Sequence, residues 1–131
     1  MKIRKNLLLF IFIIYLGLVL YLTIFSNMGR NISMTYIEYL KSAFNIIPFI
    51  NLIQAINSGS LVSFFINTFS VLLLYLPLGI IIPLLLENSK YKKVILVSLL
   101  VIIIIEILQL LTTLGIFDIN DIIVGFIGVS L

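Results

Sequence analysis

Against a background of hydrocarbon, a few side chains carry the chemistry of this sequence. Glu106 and Gln109 lie inside an apolar run from Val94 to Thr113, and Asp118, Asn120 and Asp121 follow just beyond it. An ionisable group inside a lipid-spanning segment costs about 2.5–3.5 kcal/mol on insertion scales, so it usually faces protein or water and marks a working site. Glu106 and Gln109 are three residues apart, which makes them neighbours on one helix face. A carboxyl group in such a low-dielectric setting can serve as a general acid or base. Asp118 and Asp121 offer hard oxygen ligands of the sort a divalent cation takes with substrate phosphates. They equally suit the first turn of a helix, where carboxylates meet the positive end of the dipole.

The elements that must position these groups are membrane helices. Apolar residues make up 63% of the 131, charged residues only 10%, and the mean hydropathy is +1.34, far from the balance of a soluble domain. The expected fold class is therefore an all-α integral membrane protein, a single domain over residues 1–131. Its net charge of +3 resides in short segments between apolar runs, so it signals topology rather than nucleic-acid binding. Cys and His are absent, which excludes disulfides, a serine–histidine or cysteine–histidine mechanism, and a zinc site built on sulfur or imidazole. No cofactor or metal is expected.

Along the chain, spans are expected at about 7–25, 61–86 and 94–114, with a partial fourth at 122–131. The first is long enough to cross a hydrocarbon core and ends in Thr23-Ile-Phe-Ser-Asn-Met28 rather than in a small-residue cleavage site, which favours an uncleaved helix over a signal peptide. The second carries Pro77 and Pro83 and a polar stripe, Ser63, Asn67 and Ser70, of the kind that glues membrane helices together. The last ten residues reach about 15 Å, half a membrane, so either the protein continues or the tail is a re-entrant half-span; continuation is the preferred reading. Gly125 and Gly128 share a face with Asp121 there and predict close helix packing.

The connection from Ser26 to Ser60 predicts two amphipathic helices lying in the membrane interface. Thr35 and Glu38 form a capping-box pattern, and Tyr36, Leu40, Ala43, Phe44 and Ile47 make an apolar face that ends at Pro48. A second piece alternates Phe49, Ile50, Leu52, Ile53 and Ile56 with Asn51, Gln54 and Asn57, before a turn at Asn57–Ser60. Tyr36, Tyr39, Phe44 and Phe49 are expected at headgroup level, as in an aromatic belt.

Basic residues set the orientation. Lys2, Arg4 and Lys5 precede the first span and Lys90, Lys92 and Lys93 precede the third, whereas the connection Gly115–Asp121 has two Asp and no base. Arg30 and Lys41 are the only bases of the first connection. The N-terminus is thus expected in the cytoplasm and the first and third connections outside. With that orientation Glu106 lies roughly 12 Å and Asn67 roughly 9 Å below the same outer surface. Gln109 falls between, and Asp118, Asp121, Asn45 and Pro48 sit above. A polar cluster under the outer headgroups follows.

These residues also form familiar blocks. Asn45-Ile-Ile-Pro48-Phe49, Asn67 followed by Leu76-Pro77-Leu78-Gly79, Glu106-Ile-Leu-Gln109 and Phe117-Asp118-Ile-Asn-Asp121-Ile122 resemble, in order and spacing, the four motifs of the VanZ-like family. The family commonly has an Asn where this chain has Gly125, and continues through a complete last span. The resemblance implies a multi-pass protein of a bacterial plasma membrane, similar to proteins linked to low-level resistance to teicoplanin, an acylated glycopeptide.

Three functions compete. The first is a non-enzymatic protein that alters how an amphiphilic antibiotic or a lipid-linked cell-wall precursor engages the outer leaflet, with Asn45, Pro48, Phe49, Asn67, Glu106, Gln109, Asp118 and Asp121 as its polar cluster. The second is a membrane-embedded enzyme with Glu106 and Asp121 as its candidate catalytic residues; the lack of a strong nucleophile weighs against it. The third is a small proton-coupled transporter using Glu106, which would have to be a homo-oligomer. The lipid bilayer is the expected partner in all three.

Overall fold

The computed structural model describes residues 2–27, 35–87, 89–113 and 115–131. The expectations that concern Arg30, the rest of 28–34 and Leu114 lie outside the described residues. Helix α1 (Lys2–Asn27) leads to a short α2 (Tyr36–Ser42), strand β1 (Phe44–Asn45), α3 (Ile50–Ser58) and α4 (Leu61–Leu85). Helix α5 (Tyr91–Leu111), strand β2 (Phe117–Asp118) and α6 (Ile119–Ser130) complete the chain.

Among the described residues three helices are long and apolar enough to cross a membrane: α1 over Arg4–Thr23, α4, and α5. Their outer faces expose large apolar side chains in rows, such as Phe10 and Ile14 on α1, Phe65 and Phe69 on α4, and Leu96, Leu100 and Ile104 on α5. At 12 residues α6 spans only about 18 Å.

The core lies between α4, α5 and α6, with α1 laid against it. Tyr75, Leu78 and Ile82 of α4 meet Ile102 and Ile105 of α5, Ile122 and Val129 of α6, and Val19 of α1. Glycine makes the α4–α6 approach possible. A Cβ on Gly128 would stand 2.6 Å from the Leu72 carbonyl oxygen, one on Gly125 would stand 2.6 Å from Cδ2 of Tyr75, and Gly79 lies against the Val129 backbone. In lipid, where apolar burial supplies little drive between helices, such close backbone packing is a main source of association. The Tyr15 hydroxyl donates to the Leu74 carbonyl and ties α1 to α4. Helix α4 continues through Pro77 and Pro83.

The first connection differs from its expected form. The capping box is present: Glu38 N–H donates to Thr35 Oγ1 at 3.4 Å and Thr35 N–H donates to Glu38 Oε2 at 2.9 Å. The Thr35 N–H, together with the Thr35 hydroxyl that also donates to Glu38 Oε2 at 2.8 Å, holds the exposed Glu38 carboxyl below its usual range. But α2 ends at Ser42 rather than running to Ile47; of the expected face Ala43 is buried and Leu40 packs beside it, whereas Tyr36, Phe44 and Ile47 are exposed and Tyr39 is buried instead. The cause is a competing set of partners. Phe44 and Asn45 leave the helix to pair in parallel with Phe117 and Asp118, and Phe117 N–H donates to the Ala43 carbonyl at 2.8 Å. The Phe44 and Phe117 rings meet at a tilt of 38° with centroids 5.6 Å apart. This two-residue ladder is the one departure from an all-α architecture among the described residues.

The second amphipathic piece forms as α3 and is entered through a tight turn. Ile50 N–H reaches back to the Ile47 carbonyl, Pro48 fills the first central position, and Phe49 takes the second with φ 62°. Gly59, at φ 70°, closes α3 in the left-handed conformation that its missing Cβ permits.

Candidate functional site

One end of the bundle gathers the C-terminal ends of α1 and α5, the N-terminal ends of α4 and α6, and α3 with the two-strand ladder. The sequence explains the convergence. Asp118 takes an extended conformation in β2 and simultaneously caps α6, its side chain accepting from Asn120 N–H at 2.8 Å. Caps of this kind contribute about 1 kcal/mol. Here the cap is 3% exposed and anchors a network.

That network can be followed bond by bond. Asn45 Nδ2 donates to Asn51 Oδ1 (3.2 Å), and Asn51 Nδ2 donates to Asp118 Oδ2 (2.7 Å). Asp118 Oδ1 accepts from both the backbone N–H and the side-chain amide of Asn120, each at 2.8 Å. Asn120 Oδ1 in turn accepts from Phe49 N–H at 2.6 Å. Below this layer Glu106, 1% exposed, accepts from Asp118 N–H at 3.2 Å and from the Tyr75 hydroxyl at 3.4 Å. A buried acid of this type is tolerable only when its oxygens are satisfied, and both are.

Asp121, half-buried, has no hydrogen-bond partner among the described residues, although the charges of Asp118 and Asp121 both reach Glu106. Gln109 is 5% exposed and its Oε1 is buried without a donor. Among the described residues, no group of three or more Asp or Glu is arranged to hold a metal ion.

Two cavities open here. The larger, about 970 Å³, lies between α3, the first turns of α4 and the start of α6, and is lined by Phe49, Leu52, Phe64 and Ile123 as well as by polar groups. The smaller, about 630 Å³, reaches inward to Gln109, Asp118 and the end of α1 at Leu22 and Thr23. Asn51, Asn67, Ser70 and Asp121 line both. Among the described residues, no Lys or Arg lines either one.

The structure therefore brings Asn45, Glu106 and Asp118 into one bonded network and sets Gln109, Asn67 and Asp121 around the adjoining cavities. Pro48 is exposed and shapes the turn, while Phe49, 57% exposed, enters through its backbone N–H and its place in the larger cavity wall. Asn67 is not a partner of Glu106; it is exposed on α4 and faces both cavities.

Tyr75 is the member that sequence reasoning missed. A tyrosine in an otherwise apolar span is itself a signal, because a buried phenol seeks a partner. Asn51 reads only as the polar side of an amphipathic helix and Asn120 only as a neighbour of the two acids, yet they carry the middle of the network. Gly125 lies under the Tyr75 ring, so in this chain the phenol occupies the space that the Asn common in the resembled family would require. Tyr39, expected at headgroup level, is buried at 2% exposure, and its hydroxyl donates to the carbonyls of Gly115 and, at 3.2 Å, Leu110.

Residues 12–131 match a family model described as VanZ/LLP1, in agreement with the motif resemblance. No curated protein and no solved structure gives a significant match.

Proposed function

The chain belongs to the VanZ/LLP1 family, and from that premise we propose that it is a multi-pass protein of a bacterial plasma membrane that holds the polar headgroup of an amphiphile at the outer leaflet. The single observation that carries this reading is the pair of cavities joined at Asn51, Asn67, Ser70 and Asp121, directly beneath α3. One cavity has apolar walls near the exposed faces of the bundle; the other ends in acids and amides. That sequence of surfaces suits a molecule with an acyl tail and a polar head, such as a lipid-linked envelope precursor or an acylated glycopeptide. In the proposed orientation the N-terminus is cytoplasmic, and α1, α4 and α5 span, with α6 entering from outside.

Two further features support binding rather than acid–base chemistry at Glu106. Its carboxyl oxygens are committed to Tyr75 and to the Asp118 backbone, which makes it a positioning residue for the start of α6. Phe49 also holds a left-handed conformation that Gly or Asn would adopt more readily. Strain of that kind, of order 1–3 kcal/mol, tends to persist where a side chain has a task; the task proposed for this ring is to wall the headgroup cavity.

The test is photolabelling in native membranes with a lipid probe whose reactive group sits next to the head. Labelling concentrated on Phe49, Phe64 and the first turns of α4 is the expected result. Labelling spread evenly over the outward face of α1 would overturn the reading. In cells, Asp121→Asn should change susceptibility to an acylated glycopeptide at unchanged protein level.

A further inference from the structure

Helices α3 and α4 form a hairpin turned at Gly59 and Ser60, and each contributes a polar row to the larger cavity. Asn51, Gln54 and Ser58 recur along α3, and Ser63, Asn67 and Ser70 along α4, at spacings that keep each row on one helix face. Ala55 is the one buried residue of α3, and about 970 Å³ of open space lies between the two rows and the start of α6. That volume falls at the top of the range of about 300–1,000 Å³ that small-molecule sites occupy. In the proposed orientation the α4 row runs about 14 Å down from the first residue of the helix, into the outer leaflet. Polar side chains at such a depth are costly unless something polar meets them.

The protein itself meets only some of them. Asn51 is held by Asn45 and Asp118, and Ser70 Oγ donates to the Ile66 carbonyl. Gln54, Ser63 and Asn67 make no side-chain hydrogen bond with any described residue. The Ser58 and Ser60 hydroxyls, 2.6 Å apart, share one hydrogen and keep the other to give away. A carboxamide both donates and accepts, and so does a hydroxyl. Spare capacity of both kinds therefore stands on both walls. A group that only accepts would set its oxygens against the amide oxygens and the Asp121 carboxyl. One that only donates would set its hydrogens against the amide and hydroxyl hydrogens. A ring bearing several hydroxyls matches either kind at every position and reaches both walls at once. Phe49 and Phe64 add apolar ring surface to the same cavity, suited to the C–H face of such a ring.

We propose that the larger cavity binds an uncharged glycosyl group, with Gln54, Ser63 and Asn67 as its hydrogen-bonding partners and Phe49 and Phe64 as its apolar platforms. This rests on the reading of this end of the bundle as a headgroup site, and names the head. The sugar has two sources, a glycolipid of the bilayer or a soluble saccharide.

The experiment uses the full chain in phosphatidylcholine nanodiscs. It is titrated with short-chain diacylglycerols carrying glucose, galactose or N-acetylglucosamine, with the sugar-free diacylglycerol, and with the three free sugars. A permethylated glucosyl diacylglycerol, short-chain phosphatidylglycerol and an acylated dialanine complete the set. At least one glycosyl lipid is expected to bind about tenfold or more tightly than the sugar-free lipid, and permethylation to abolish that gain. The double variant Gln54→Ala/Asn67→Ala breaks no internal hydrogen bond and should melt normally, yet lose about tenfold in glycosyl-lipid affinity. Asn57→Ala, on an exposed α3 residue away from the cavity wall, should lose none. Glycosyl-lipid binding well above that of the free sugars identifies a glycolipid as the source; equal binding of a free sugar identifies a soluble saccharide, and removes the amphiphile reading while the glycosyl site stands. Equal binding of the sugar-free or permethylated lipid, or an affinity indifferent to the double variant, would overturn the proposal. Binding of phosphatidylglycerol or the acylated dialanine in preference to every glycosyl lipid would overturn it while leaving the headgroup reading standing. If none of the probes binds to a chain that melts normally, both fall.

Discussion

The backbone N–H of Asp118 points its hydrogen at Glu106 Oε2, 3.2 Å away. The residue that caps α6 is thereby seated on an acid of α5, and Tyr75 of α4 closes the other side of that acid. Three helices are joined at a single carboxyl group.

Replacing Glu106 should therefore act on stability before it acts on anything else. Glu106→Gln keeps an acceptor and is expected to cost about 1 kcal/mol, whereas Glu106→Leu orphans the Asp118 N–H and the Tyr75 hydroxyl and is expected to cost about 2–4 kcal/mol. Unfolding in mixed micelles measures both. A double-mutant cycle with Tyr75→Phe should give a coupling of at least about 0.5 kcal/mol; zero coupling would mean that the 3.4 Å contact carries no energy.

The glycines of α6 make a sharper steric prediction. Gly128→Ala places a methyl 2.6 Å from a backbone oxygen of α4, which has little freedom to retreat. A loss of about 1–3 kcal/mol is expected. Gly17→Ala, with nothing within 4 Å of its added methyl, should be neutral or slightly stabilising because Ala favours helix. Equal effects at the two positions would contradict the α4–α6 packing.

Tyr39 lies outside the spans and offers a pH test. Burial pushes its phenol above the usual 10.0. The unfolded chain then ionises first, so stability is intact below about pH 10 and falls as alkali forces the buried phenol to ionise. Tyr39→Phe removes the Gly115 and Leu110 contacts and should cost about 1–2 kcal/mol at neutral pH, while flattening the alkaline fall. An unchanged alkaline profile in the variant would assign the fall to another tyrosine.

Orientation can be read with engineered thiols, because the sequence contains no Cys. Ser58→Cys on α3 should react with a membrane-impermeant maleimide in intact cells, and Glu87→Cys, in the basic connection, only after permeabilisation. The reverse pattern would invert the proposed topology.

Much of this was legible in the residue order because lipid imposes few solutions. The apolar runs predict the three long helices to within a few residues, and Thr35 with Glu38 predicts the start of α2. Glu106, Gln109, Asp118 and Asp121 stood out because polar atoms in hydrocarbon need a reason. The ladder was not legible. Phe44-Asn45 reads locally as the continuation of an amphipathic helix, and its pairing with Phe117-Asp118 depends on a segment far along the chain. Tyr75 was hidden for a related reason: its partner lies on another helix, and hydropathy scales count its ring and overlook its hydroxyl. Asn51 and Asn120 look like any surface amide until Asp118 is placed between them.

The ladder carries a consequence for biogenesis. Its two halves are separated by α3, α4 and α5, so Asn45 cannot find Asp118 until those helices have been synthesised and β2 has emerged behind them. Until then Asn51 lacks its carboxylate and Phe49 lacks the Asn120 oxygen that its N–H reaches in the finished fold. The end that holds the two cavities is thus the last portion of the molecule to take shape during synthesis, and any defect in delivering α6 leaves an assembled bundle with an unfinished mouth.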